Sequence, residues 1–341
     1  MQWIKIAKKN LRSNNILTVL LFLFMILYYH DHSELNKLRY KDKGSSMKNI
    51  NHKERLEKRK VRLKEVCESY NNPSRVEYSS LFHRHIQNNI CTGTYFHVQQ
   101  RDHFICNVLK SGSTSWQMFF AENQINSTHI ADCQGGDKCP QSPELKIMQV
   151  RHPFERLLSA YRHLFKNGGW KPLDLSWSND NELEQFYIKL FSKSWPEFVT
   201  DIIINNEFRL TESELDDIVH PGTWLKTHWA PFWFTCGVCN SHLAPDYILK
   251  LETLPWDLPE VMEVMGLNRT IKFPDIRVTG NDDNFSEGNM VSQEVVGKYF
   301  SQLTTLQILN LYEVYKTDFI MFDYSPDSYL ELAIDNRENK L

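Results

Sequence analysis

Several features are missing from this 341-residue sequence, and each absence narrows the class of protein. The formal net charge is −3, so the chain lacks the excess of positive charge that nucleic-acid binding proteins use. The pattern G-x-x-x-x-G-K-[ST] is absent, which excludes a Walker A loop. No internal repeat is present. What remains is a globular composition, with 41% hydrophobic and 24% charged residues, long enough for one large or two small domains.

A long apolar run is also lacking. Residues 16–29 are apolar except for Thr18, but the run is shorter than the roughly 20 residues of an average membrane span. It ends without a small-x-small cleavage site, and thin membranes accept shorter spans. Basic residues before the run keep that end in the cytosol. The pattern favours a transmembrane signal anchor at residues 16–30, after a cytosolic tail of residues 1–15, over a cleaved signal peptide.

The chain after the anchor changes character near residue 75. Residues 31–75 are dense in charged and amide side chains and sparse in apolar ones, which predicts a luminal stem that buries little surface and is at most partly helical. Residues 76–330 carry the alternation of strand and helix patterns expected of a catalytic domain. Residues 331–341 are predicted to form a tail.

Luminal placement agrees with two further features. Acceptor triplets for N-glycans begin at Asn126, Asn268 and Asn284. All seven cysteines follow the apolar run, where disulfides persist: Cys67, Cys91, Cys106, Cys133, Cys139, Cys236 and Cys239. The Cys236-x-x-Cys239 pair suggests zinc or redox chemistry, but no second such pair exists, so structural disulfides are favoured. Because seven is odd, at least one cysteine is free or pairs between chains.

One candidate anion site lies at residues 145–162. Residues 145–150 have the pattern of a short buried strand, and Pro153 suits the first turn of a helix. Apolar residues recur from Phe154 at helical spacing, which predicts that Ser159 faces away from the core. An arginine at a strand end (Arg151), a helix N-terminus and an outward serine suit a phosphate. The alternative is an arginine in a surface ion pair.

A second candidate lies about 40 residues earlier. Residues 101–109 have a buried-strand pattern, and a helical stripe begins at Trp116. The small-residue loop between them is typical of α/β folds that present backbone N–H groups to a phosphate. It comprises Lys110, Ser111, Gly112, Ser113, Thr114 and Ser115. Two such units suggest a nucleotide with phosphate groups at two separate positions.

These two units resemble motifs of the Golgi carbohydrate sulfotransferases. Leu109 to Trp116 is similar to their 5′-phosphosulfate-binding loop, and Arg151 to Ser159 to their 3′-phosphate-binding segment. The group with the chondroitin and dermatan 4-O-sulfotransferases and the HNK-1 sulfotransferase is the most similar. The likeness continues at Thr227 to Pro231, at Tyr247 to Leu254 and at Tyr299 to Tyr324. That family often has proline before the lysine and Ala-Cys-Thr-Asn after it, where this chain has Leu109 and Gly-Ser-Thr-Ser.

The resemblance implies a P-loop-like α/β sulfotransferase fold with a central parallel sheet flanked by helices. It also implies 3′-phosphoadenylyl sulfate (PAPS) as the sulfuryl donor, a glycan as the acceptor, and no metal. Lys110 and the N–H groups of residues 111–115 would hold the 5′-phosphosulfate, and Arg151 and Ser159 the 3′-phosphate. Arg156 would assist or only cover the helix surface.

Sulfuryl transfer needs an in-line acceptor, stabilised charge and a base for the hydroxyl. Lys110 would neutralise the departing oxygen. His228 is the candidate base, because it lies in a short, proline-bounded aromatic segment and matches the family at Thr-His-Trp-Ala-Pro. His152 suits cofactor binding or capping. Trp229 would stack on a sugar or pack in the core, and Glu252 would pair with a base or simply end a strand.

The sequence therefore predicts a single-pass type II Golgi membrane sulfotransferase that acts on a glycosaminoglycan or glycoprotein sugar. A uronyl or heparan 2-O-type sulfotransferase is an alternative with the same fold. A luminal kinase would need metal-binding acids that the motifs lack. A non-catalytic glycan-binding membrane protein is the remaining alternative, and the presence of Lys110, Arg151 and Ser159 argues against a degenerate site.

Overall fold

The structure is a computed structural model. It describes residues 51–70, 94–98, 101–130, 144–166, 191–205, 227–236, 238–239, 244–267, 273, 278–279 and 290–335. The chain divides into two compact units, residues 1–54 and 55–341, and only residues 51–54 of the first unit are described. The predicted anchor at 16–30 lies outside the described residues. In the ranges given, no helix has both the length and the apolar character needed to cross a membrane.

The elements follow one another in a βα order through the middle of the chain. The helices are α1 (His52–Tyr70), α2 (Ser113–Glu122), α3 (Pro153–Tyr161), α4 (Trp195–Glu197), α5 (Leu254–Val264), α6 (Gln293–Phe300), α7 (Thr305–Met321) and α8 (Asp327–Leu330). The strands are β1 (Thr94–Val98), β2 (His103–Asn107), β3 (Ser127–Ile130), β4 (Leu145–Val150), β5 (Tyr247–Lys250), β6 (Val278–Thr279) and β7 (Met290–Val291). Turns of π-helix continue α3 over Arg162–Lys166 and α4 over Phe198–Ile204. Turns of 3₁₀-helix lie at Phe232–Phe234 and Leu251–Thr253.

Five strands form the central sheet in the order β3-β1-β2-β4-β5. The strands β2, β4 and β5 are mutually parallel neighbours, and β1 is antiparallel to both β2 and β3. The predicted α/β fold with a central parallel sheet flanked by helices is confirmed, except that β1 alone runs in the opposite direction and makes the sheet mostly parallel. The carboxyl ends of β2 and β4 lie side by side, and each strand leads into a helix.

Both faces of the central strands are buried, which explains their nearly continuous apolar sequences. Successive residues of a strand point to opposite faces. Ile147 accordingly packs with Trp116 and Phe119 of α2, whereas Met148 packs with Phe232 and Met321 on the other side. The helices α2 and α7 thus cover opposite faces of the sheet, and the polar residues at its carboxyl edge lie between two cores.

Helix α1 differs from the stem that the sequence predicts. Its buried side chains Leu56, Leu63 and Cys67 belong to the two cores beside the sheet. Arg59 donates to the carboxylate of Asp257 at 2.8 Å, and that aspartate is fully buried. The prediction that residues 31–75 bury little surface is wrong for this helix, because Leu56, Leu63, Val66 and Cys67 fall on one side and are buried, although Val61 is exposed.

Two other differences arise near the C-terminus. The apolar spacing over residues 293–315 suggests one helix, but the chain turns between α6 and α7. There Thr304 Oγ1 accepts from the N–H of Gln307 at 3.2 Å, and Gln307 Oε1 accepts from the N–H of Thr304 at 2.9 Å. This reciprocal cap starts a new helix. The packed chain also continues past residue 330, because Ala333 is fully buried and Asp335 accepts from the N–H of Thr305.

Candidate active site

The loop between β2 and α2, residues 108–112, is here called the lysine loop. Its backbone takes left-handed conformations at Lys110 (φ 65°) and Gly112 (φ 101°). A Cβ on Gly112 would lie 2.2 Å from Nε2 of Gln149, so the glycine also permits close approach. Because α2 begins at Ser113, residues 113–115 belong to its first turn and not to the predicted loop. The first N–H groups of a helix have no partner inside it and suit an anion.

Gln149 holds the lysine loop from beneath. Its side chain is 2% exposed, its Nε2 donates to the carbonyl of Ser111 at 2.5 Å, and its Oε1 accepts from the indole N–H of Trp116 at 2.8 Å. One amide therefore fixes both ends of the turn from loop to helix. Sequence reasoning missed this residue, although an amide near the end of a mostly apolar strand was a usable signal.

Arg151 directly follows β4 and is buried beside the lysine loop. It is 1% exposed, and Nη1 reaches the carbonyl of Lys110 at 3.4 Å. Its Nε and Nη2 are buried without a hydrogen-bond partner, although Nη2 lies at ion-pair distance, 3.5 Å, from a carboxylate oxygen of Glu155. Unsatisfied charged donors are costly inside a protein and are rare without a functional reason. The guanidinium is therefore prepared to bind an anionic group next to the lysine loop.

Two carboxylates surround this arginine. Glu155 Oε2 lies 3.5 Å from Nη2 of Arg151, and burial raises the pKa of Glu155 to about 7 despite that cation. Glu252 accepts from the N–H of His152 at 2.6 Å and from the hydroxyl of Tyr324 at 2.9 Å. Glu252 thus fixes the turn that carries Arg151. Neither of these two bonds connects Glu252 to His228, the candidate catalytic base.

His152 caps α3. Its Nδ1 accepts from the N–H of Phe154 at 3.3 Å, so the ring proton lies on Nε2, which faces the carbonyl of Ser325 at 3.1 Å. Burial lowers the pKa of His152 to about 4. Both ring nitrogens are engaged and the ring is neutral, so His152 positions the helix, as capping predicts.

Ser159 lies in α3, eight residues beyond Arg151, and is 4% exposed. The prediction that it faces away from the core is wrong, because all nine residues of α3 are buried. Helical periodicity describes one apolar side, but it does not show that the opposite side of α3 is covered as well. Arg156 is likewise buried, at 1% exposure, and does not merely cover a helix surface.

Residues 227–236, here called the histidine segment, contain His228, which is 3% exposed. The segment has almost no regular structure, and side chains of α7 hold its backbone. Tyr315 donates its hydroxyl to the carbonyl of Trp229 at 2.7 Å, while Asp318 accepts from the N–H groups of Phe232 and Trp233 at 2.7 and 3.1 Å. Trp229 is 6% exposed and packs on Phe198, so the structure favours its interpretation as a core residue over a sugar platform.

Two disulfides join the same region to the rest of the fold. Cys67 pairs with Cys239 and Cys106 with Cys236, with Cα atoms 5.3 and 5.8 Å apart. The preference for structural disulfides over a metal at the Cys-x-x-Cys pair is therefore confirmed. Cys91, Cys133 and Cys139 lie outside the described residues. Within the part of the chain that the structure describes, no group of three or more His, Cys, Asp or Glu could hold a metal ion.

The profile described as "Sulfotransferase family" matches residues 94–325, which is more than half of the chain. Carbohydrate sulfotransferase 11 of Danio rerio is 28% identical over 192 residues, covering 55% of this chain and 49% of that protein. Carbohydrate sulfotransferase 9 of Homo sapiens is 26% identical over 296 residues, covering 80% and 60%. No solved structure matches significantly.

Each alignment covers a larger share of this chain than of the relative. The matches to carbohydrate sulfotransferase 11 span about half of that protein. Carbohydrate sulfotransferase 8 of Homo sapiens, 24% identical over 299 residues, is covered over 63% of its length. The family match contains the lysine loop, Arg151, the histidine segment and all of α7.

Proposed function

Because the chain belongs to the sulfotransferase family, we propose that it is a PAPS-dependent carbohydrate O-sulfotransferase. The proposed reaction moves the sulfuryl group of PAPS to a hydroxyl of a glycan, such as a glycosaminoglycan or a glycoprotein sugar. The names of the relatives support a carbohydrate acceptor for those proteins.

The main support is the pair of anion sites at the carboxyl ends of neighbouring strands. The lysine loop after β2 supplies a lysine, the start of α2 supplies helix N–H groups, and the turn after β4 supplies Arg151, whose Nε is buried without a hydrogen-bond partner. The two sites touch, since Arg151 Nη1 lies 3.4 Å from the carbonyl of Lys110. A nucleotide with phosphate groups on both its 5′ and 3′ positions fits this arrangement, whereas ATP has none for the second site.

We assign the roles as follows. Lys110 and the N–H groups of residues 112–115 hold the 5′-phosphosulfate, and Lys110 offsets the charge that builds on the departing oxygen. The N–H of Ser111 is already engaged, because it donates to the carbonyl of Val108 at 3.2 Å. Arg151 and Ser159 hold the 3′-phosphate. His228 accepts the proton of the acceptor hydroxyl. No metal is required, because lysine and the helix N-terminus already supply the positive potential.

The cellular setting belongs to the same proposal. The sequence of residues 16–30 suits a signal anchor, which would make the chain a single-pass type II Golgi membrane protein with its catalytic domain in the lumen. The two disulfides suit an oxidising lumen. Asn126 is exposed and could carry an N-glycan, and Asn268 and Asn284 lie outside the described residues.

The test is binding and transfer with the purified protein. Calorimetry with 3′-phosphoadenosine 5′-phosphate should show tight binding, and Arg151→Ala should weaken it at least about tenfold, because a charged hydrogen bond is lost. Adenosine 5′-phosphosulfate, which lacks the 3′-phosphate, is the control ligand, and its affinity should not depend on Arg151. Labelled PAPS is then offered with chondroitin, dermatan, heparan and GalNAc- or glucuronate-terminated acceptors.

The acceptor panel also separates the alternatives. Transfer to the 2-position of a uronic acid in heparan would make the chain a 2-O-type enzyme. Glycan binding without transfer to any acceptor would make it a non-catalytic glycan-binding protein. Absence of nucleotide binding would overturn the proposed function altogether.

A further inference from the structure

Arg156 donates a hydrogen bond from each of its three side-chain nitrogen atoms to main-chain carbonyls of two separate segments. Its Nε donates to the carbonyl of Leu109 at 2.9 Å. Its Nη2 donates to Thr227 at 3.0 Å and its Nη1 to Ala230 at 2.5 Å. The side chain is 1% exposed, so these bonds are shielded from water. One rigid planar group therefore spans the distance between the two segments.

The accepted carbonyls lie next to the residues with proposed chemical roles. Leu109 directly precedes Lys110 in the lysine loop, and Thr227 directly precedes His228 in the histidine segment. We propose that Arg156 is a positioning residue that sets the separation between Lys110 and His228. This inference rests on the proposed function, because those two residues must act on the same transferred group.

An arginine is suited to this role by its geometry. Its donors have fixed directions in one plane, whereas lysine offers a single ammonium that cannot reach carbonyls on opposite sides. The ring of Phe232 lies 4.6 Å from the guanidinium carbon and holds the plane from one face. Burial lowers the pKa of Arg156 to about 10, and the nearby Tyr315 and Asp318 partly offset that effect.

The histidine segment has other attachments that keep it folded without Arg156. Tyr315 and Asp318 bind its backbone from α7, and the disulfide of Cys236 joins it to Cys106 of β2. None of these side-chain bonds goes to the carbonyl of Leu109. Loss of Arg156 should therefore leave both segments in place individually and alter the spacing between them.

The experiment separates positioning from simple stabilisation. In Arg156→Lys, kcat should fall about 100-fold, as expected for a misplacement on the order of 1 Å, while the Kd for 3′-phosphoadenosine 5′-phosphate should change less than about threefold. The matched control is Arg59→Lys, the same substitution at a buried arginine that pairs with Asp257. It should lower the urea midpoint but leave kcat per folded molecule unchanged.

A second variant keeps the proposal testable if Arg156→Lys does not fold. Phe232→Leu withdraws the ring from the guanidinium and leaves all three carbonyls in place, so it should lower kcat about tenfold with nucleotide affinity retained. Unchanged kcat in every one of these variants that folds would overturn the proposal, as would parallel losses of kcat, nucleotide affinity and stability. Nucleotide binding without transfer in the wild type would instead contradict the proposed function.

Discussion

Glycine is required at position 112 for two physical reasons. Its φ of 101° is strained for any other residue, and a Cβ there would meet the side chain of Gln149 at 2.2 Å. We expect Gly112→Ala to lower the free energy of unfolding by about 1–3 kcal/mol and to weaken nucleotide binding, because the lysine loop must move. Urea unfolding and calorimetry measure both effects.

Gly297 provides the matched control. It lies inside α6, has an ordinary φ, and a Cβ there would have no heavy atom within 4 Å. Gly297→Ala should raise the free energy of unfolding by about 0.5–1 kcal/mol and leave nucleotide affinity unchanged. Equal losses in the two variants would show that the geometry of the lysine loop is not what makes Gly112 necessary.

Glu155 should make stability depend on pH. Burial raises its pKa from the ordinary 4.5 to about 7, so the folded state holds the proton more tightly than the unfolded chain does. Its contribution to the free energy of unfolding is therefore complete below about pH 4.5 and is lost as pH rises through about 7. In Glu155→Gln this loss cannot occur.

The measurement is the urea midpoint at pH 5 and pH 8. Between pH 5 and pH 8, the urea midpoint of the wild type should fall further than that of Glu155→Gln. The effects of the other titrating groups are common to both proteins and cancel in the difference. Parallel pH profiles would mean that Arg151, 3.5 Å away, keeps Glu155 ionised across the whole range.

At the scale of elements, the start of α7 depends on its cap. Thr304→Ala removes the hydroxyl that accepts from the N–H of Gln307, and should cost about 1 kcal/mol of stability. Thr304→Ser keeps the hydroxyl oxygen that accepts this hydrogen bond, so it should lower stability by only a few tenths of about 1 kcal/mol. Chemical denaturation of both variants tests this, and an equal loss in the serine variant would assign the effect to the methyl group instead.

Local signals predicted the elements on which the site is built. The strand β4, the cap and proline of α3, and the apolar stripe of α2 are encoded within about a dozen residues each, so periodicity and end signals were sufficient. The burial of Ser159 was not predictable in that way, because it depends on what packs against the other side of α3. The bonds of Gln149 and Asp318 likewise join residues far apart in sequence.

Helix α1 shows the limit of composition. Charged residues fill most of the positions between its buried side chains, and a charged, apolar-poor segment usually remains solvated. Here Arg55 and Arg59 are paired with Asp257, so their charges are part of the packing and do not oppose it. Only the presence of Asp257 distinguishes a packed charged helix from a solvated stem, and Asp257 lies about 200 residues away in the chain.

For the molecule as a whole, the folded unit should require α1. A protein beginning at residue 71 would leave Asp257 buried without Arg55 and Arg59, a change that typically costs about 3–5 kcal/mol, and Cys239 without Cys67. We expect that version to aggregate or to unfold without cooperativity.

A protein beginning at residue 51 is the control, and it should unfold cooperatively and bind 3′-phosphoadenosine 5′-phosphate. Size-exclusion chromatography and thermal unfolding of the two versions provide the comparison. Equal cooperativity would restore the interpretation of residues 51–70 as a dispensable stem.

The position of Cys67 has a consequence for the order of events during synthesis. Its partner Cys239 follows 172 residues later, a delay of roughly 10 to 35 seconds at ribosomal rates of about 5–20 residues per second. Five other cysteines are translated before it, beginning with Cys91 and Cys106. Native pairing therefore requires that Cys67 remain reduced for that interval or that an early, non-native bond be exchanged, so an isomerase should govern the yield of folded protein.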